Sequence, residues 1–142
     1  RGNAAVSLRK DVKARGLDNI LIYDEIEPQE IHALYQQCAV GIISLDKRHK
    51  THNIPGKFLS YMQSGLPVLA AINSGNDLEH IINSNKVGCV STNHSVDVLK
   101  KLVEEIAENV LVDNGTKKRC LKLYQDMFSP KKAVEQIING LA

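Results

Sequence analysis

An open parallel β-sheet with helices on both faces, continued by helices alone, is the α/β fold class that three features of this chain predict. Short apolar runs alternate with segments whose apolar residues recur at helical spacing. Two of the runs, 39–45 and 67–72, are almost uninterrupted by polar residues, the pattern of strands covered on both faces. Gly, Pro or Asn punctuates most junctions, so the connections are short and the crossovers right-handed. In such sheets ligands bind in the crevice at the carboxyl ends of the strands.

The elements follow in order. Ala5, Leu8 and Val12 share one helical face until Gly16 ends the helix, and Asn19 to Tyr23 reads as a short buried strand. Pro28, a good first-turn residue, opens a helix through Ile31, Leu34 and Tyr35 to about Cys38, and Ala39 to Leu45 is the next strand. After a polar loop, Pro55 begins a helix with Phe58, Leu59 and Met62 inward; Gly65 ends it and Pro67 to Ile72 is a strand. A helix carrying Leu78, Ile81 and Ile82 then leads to a strand over Val87 to Thr92. Beyond Ser95 the pattern is helical only. Val96, Leu99, Val103 and Ile106 form one face, Cys120, Leu123, Tyr124 and Met127 another, and Ser129-Pro130 caps a last helix presenting Val134, Ile137, Ile138 and Leu141. This order places four loops on one sheet edge: 24–27, 46–53, 73–77 and 93–95.

At 142 residues the chain can bury one substantial core and is too short for two domains of ordinary size, so residues 1–142 are expected to form one domain. Eighteen basic against 16 acidic side chains leave a formal charge of +2, which gives no global case for a nucleic-acid partner. With 4% aromatics and no Trp, a carbohydrate module built on stacked rings is also disfavoured. Cys38, Cys89 and Cys120 each lie in an apolar pattern and are expected to be buried reduced thiols, which points to the cytosol. No apolar run approaches the roughly 20 residues of a membrane helix. Arg1-Gly2-Asn3 reads as the interior of a longer chain.

The loop ending in Asn53-Ile54-Pro55-Gly56-Lys57 is the most informative stretch. A helix N-terminus presents unpaired N–H groups and a positive dipole end to an anion, and Gly56 lets a phosphate approach closely. Lys57 and the run Lys47-Arg48-His49-Lys50 add charge, although on composition alone such a run is better read as solvated surface. Ser74-Gly75-Asn76-Asp77 also joins a strand end to a helix start, where Asn and Asp ordinarily serve as caps. His49 and His52 have only Asp46 near them as a further ligand type, so no metal is expected. His32, His80 and His94 read as exposed or singly hydrogen-bonded. Neither a GxGxxG nor a P-loop signature occurs.

The run from Ile54 to Ala70, with Pro55, Lys57, Tyr61, Gly65, Pro67 and Val68 at matching places, resembles the donor-site segment of family 4 glycosyltransferases. Gly75 to Ile82, Val87-Gly88-Cys89-Val90 and Phe128-Ser129 follow in the family's order, so the resemblance covers most of the chain from Tyr23 onward. It implies a Rossmann-like domain, the C-terminal half of a two-domain GT-B fold, binding a UDP- or GDP-linked sugar without metal. The resemblance is strongest to transferases that build bacterial O-antigen and capsule precursors.

Family members carry two Glu residues separated by seven others; here His52 and Ser60 fall at those positions, so neither carboxylate is present. Ser60 can still hydrogen-bond a ribose hydroxyl and His52 a sugar or phosphate oxygen. The resemblance implies that the base lies near Tyr23, Asp24 and Glu25, and that the diphosphate meets the helix starts at Gly56 and Gly75, with Asn53, Lys57 and Asn76 beside them. No catalytic residue is assigned. A basic residue of the first strand-loop and an acceptor-binding N-terminal domain are expected before Arg1, so the chain alone is expected not to turn over. The acceptor implied is a polyprenyl-linked glycan, which places the protein peripherally at the inner face of the plasma membrane, with Lys47 to Lys50 or Lys117-Lys118-Arg119 toward anionic lipid. Two alternatives remain. A sugar-nucleotide epimerase of the same shape would draw on Glu25, Glu27, His49 and His52, and a non-catalytic α/β binding domain needs none of these.

Overall fold

The computed structural model describes residues 4–46, 48, 53–93, 95–113 and 115–140, the side chains of 109–112 excepted. It divides into a unit of residues 1–31 and a unit of residues 32–142. The described residues are α/β, 59% helical, with a three-stranded parallel open sheet.

The first unit holds helix α1 (Ala5–Ala14) and the start of α2 (Pro28–Gln36). Gly16, at φ 62°, stops α1 as expected, but α1 buries none of its residues. The strand expected over Asn19 to Tyr23 does not form. Among the described residues that segment has no ladder partner, and Leu21 is 76% exposed. Five extended residues become a strand only where a neighbour takes up their N–H and C=O groups, and an apolar run does not itself supply that neighbour.

The second unit contains the sheet. Strands β1 (Gly41–Ser44), β2 (Val68–Ala71) and β3 (Gly88–Ser91) lie in the order β1-β2-β3, all parallel, with Ile43 beside Ala70 and Ala70 beside Val90. Helix α3 (Gly56–Ser64) crosses from β1 to β2 and α4 (Asp77–Asn85) from β2 to β3. Two successive right-handed crossovers advancing in one direction place both helices on one face. There Ile43, Val68, Ala70 and Ile72 pack with Phe58, Met62, Leu78 and Ile82, joined by Cys120 and Leu123 of α6 (Thr116–Leu123).

Alternation along the strands turns Leu69, Ala71 and Ser91 to the opposite face, where α5 (Val96–Val112) packs against β2 and β3 and buries Ile106. The cover stops short of β1, whose Ile42 is 61% exposed on that face. Helices therefore lie on both faces, unequally. The inward face expected for α5 is only half right. Val96 and Val103 are exposed whereas Ile106 is buried, Val96 because it stands at the first residue of the helix, and apolar spacing alone does not say which residues of the face reach the sheet.

After α6 the chain passes through a π-helical turn, Tyr124–Phe128, into α7 (Pro130–Gly140). The turn sets Phe128 edge-on to Phe58, with centroids 5.9 Å apart, but leaves Met127 exposed, contrary to the inward position expected for it. Ser129 caps α7 as expected, accepting from Lys132 N and donating to Gln125 O. Val134, Ile137 and Ile138 of α7 are exposed, and Leu141 lies outside the described residues. Of the cysteines, Cys120 is buried and Cys89 partly so, whereas Cys38, expected inside, is exposed because α2 ends before reaching it.

Candidate functional site

At the carboxyl ends of the strands the described residues are 45, 46, 48 and 53–55 after β1, 72–76 after β2, and 92, 93 and 95 after β3. The first two stretches are joined directly. Asn73 Nδ2 donates to the Asp46 carbonyl at 3.1 Å, so the two crossover loops meet at the sheet edge. Asp46 also receives Arg48 through its backbone N–H at 2.9 Å, Nε at 3.0 Å and Nη2 at 2.7 Å. That hydrogen bonding holds the guanidinium pKa above its ordinary value. Arg48 is thus folded back on a carboxylate of its own loop, which weakens its appeal to an incoming phosphate. Lys47, His49, Lys50, Thr51 and His52 lie outside the described residues, as do Gly2 and His94.

The helix starts on this edge differ. Helix α4 is capped: Asn76, only 6% exposed, accepts from Leu78 N at 2.9 Å, and Asp77 and Glu79 occupy the first turn. Ahead of it, Asn76 N donates to Asn73 O across a turn whose third residue, Gly75, sits at φ 81°. Leu78 N and Glu79 N are thus both served by Asn76, and the two carboxylates in the first turn disfavour an anion there. Helix α3 has no side-chain cap. Pro55 stands extended at its N-cap, φ −62° and ψ 136°, and its first turn has no acidic residue. Phe58 N turns back to Pro55 O at 2.9 Å, while the N–H groups of Gly56 and Lys57 meet no acceptor among the described residues.

Ser60, one turn beyond Gly56 on the same face, donates its hydroxyl to Gly56 O at 3.3 Å and keeps its lone pairs for another donor. Lys57 and Asn53 are exposed beside this end. Asn53, Gly56, Lys57 and Ser60 therefore gather at the α3 start, and Gly75 and Asn76 at the α4 start, both on the carboxyl edge. Tyr23, Asp24 and Glu25 belong to the first unit, where Tyr23 is exposed and Asp24 pairs with Arg9 at 2.6 Å on the surface.

Behind α3, Tyr61 fixes the helix to the edge strand. Its ring lies over Gly41, at about 4.9 Å from the Tyr35 ring, and its hydroxyl donates to Ile42 O at 3.2 Å; burial and the neighbouring Tyr35 raise its pKa. An edge carbonyl that would template another strand is thereby occupied. Sequence reading did not find this contact, because nothing local links positions nineteen apart.

The amino edge holds a second cluster that sequence reading missed. Asp113 accepts from Gly115 N at 2.7 Å and Thr116 Oγ1 at 3.1 Å and pairs with Arg119 Nη2 at 2.6 Å, while Arg119 Nε donates to Lys86 O at 2.9 Å. The Arg119 hydrogen bond, then that of the Gly115 N–H, lowers the Asp113 pKa to about 2. Its signal was an Asp three residues before a Thr at a helix start. Two clefts of about 290 Å³ open here, both walled by Pro67, Asp113 and Thr116. Around them the polar groups of Asp113, Thr116 and Arg119 are bonded to one another.

His32, expected to be exposed or singly hydrogen-bonded, is exposed, and its ring nitrogens meet Ser64 Oγ at 3.0 Å and Gln36 Nε2 at 3.1 Å. Among the described residues no three His, Cys, Asp or Glu side chains converge as metal ligands, and no helix is long and apolar enough to cross a membrane. No family model matches the chain, and no curated protein or solved structure is significantly similar to it.

Proposed function

We propose that this chain binds a nucleoside-diphosphate sugar, UDP- or GDP-linked, at the carboxyl edge of its sheet, as the donor half of a retaining GT-B glycosyltransferase resembling family 4. The observation that carries the reading is the uncapped start of α3. Its N–H groups at Gly56 and Lys57, without an acceptor among the described residues, the absence of acidic residues in its first turn and the exposed Lys57 suit a diphosphate, and they fall within the segment that resembles the family's donor site. The diphosphate sits on Gly56 and Lys57, and Ser60 one turn back receives a ribose hydroxyl. Helix dipole and lysine, in place of a metal, balance the leaving charge. The acceptor is a polyprenyl-linked glycan precursor of O-antigen or capsule type, held by a separate N-terminal domain at the inner face of the plasma membrane.

A second reading, a non-catalytic α/β binding domain, is favoured by one feature: Ser60 stands where the family has a carboxylate and spends its proton on Gly56 O. Calorimetric titration of the chain with UDP, GDP and UDP-sugars separates the two. Saturable binding that weakens at least tenfold, about 1.4 kcal/mol, in Gly56→Val and less in Ser60→Ala is expected for the donor site. A folded chain that takes up no nucleotide overturns that reading and leaves the non-catalytic one.

A further inference from the structure

We draw no further inference here: the strongest candidate, the Ser91 hydroxyl at the carboxyl end of β3, which is buried without a hydrogen-bond partner among the described residues, is enclosed so completely that no ligand can touch it, and nothing beside it points to one.

Discussion

Glycines at the two ends of the sheet stand in opposite surroundings. At the amino end, a Cβ on Gly88 would lie 1.9 Å from the Val68 carbonyl oxygen, and one on Gly41 would lie 2.7 Å from the Tyr61 ring. At the carboxyl end, Gly56 and Gly75 have no described atom within 4 Å of such a Cβ. Packing demands the first pair. It does not demand the second. Gly75 has a backbone reason, since φ 81° disfavours any L side chain, but at Gly56 the described residues supply neither a steric nor a conformational one. A requirement for glycine at position 56 would have to come from something that approaches the folded chain, and that makes it the sharpest probe of the proposed site.

The largest effect is expected from Gly88→Ala. The obstructing atom is backbone, which cannot rotate away, so the strand pair must separate and the loss is expected to reach about 3 kcal/mol or more in denaturant unfolding. Gly56→Ala in the same assay should stay within about 0.5 kcal/mol of the parent. Equal losses at the two glycines would erase the contrast between the ends.

Asn76→Ala is expected to lose about 1 kcal/mol of stability by uncapping α4, and to leave nucleotide binding unchanged. Binding that falls as far as in Gly56→Val would mean that both helix starts hold the ligand, against the difference in their caps. Ser91→Ala acts in the opposite sense. Removing a buried hydroxyl with no partner should raise stability by about 1 kcal/mol, read as a higher denaturation midpoint at constant slope. A fall instead would reveal a partner for Ser91 that the described residues do not supply.

Much of the second unit was legible in the sequence, because each of its boundaries is written locally. Gly65 at φ 70° ends α3, Asn76 opens α4, Ser129 and Pro130 open α7, and three apolar runs between them are the three strands. The rest depends on contacts between distant positions. Asn19 to Tyr23 has the composition of a strand without the ladder that makes one, and Val96 has the spacing of a buried residue without a sheet beneath it. At the candidate site, local reading located both helix starts but could not rank them. Their difference lies in whether a cap closes and where Arg48 turns, and both are settled in three dimensions.

The smallest effect concerns the charge that ties the amino end together. Asp113 titrates at about 2 when folded, below its ordinary 3.8, chiefly because Arg119 and then Gly115 N–H bond its carboxylate. A depressed folded pKa means that the unfolded chain takes up the proton first. The stabilisation is therefore complete above 3.8 and disappears as pH falls through about 2. Asp113→Asn should be less stable than the parent near neutral pH, with the gap closing over that acid window. Arg119 and Asp113 keep 34% and 43% of their side-chain surface exposed, so solvent screens the pair and the gap should be far smaller than that of Gly88→Ala. Asn76→Ala supplies the control, since an amide cap does not titrate and its deficit should stay flat as the acid is added. If the Asp113→Asn gap is flat as well, geometry and not charge holds Asp113 in place. The amino end would then differ from the carboxyl end in packing alone.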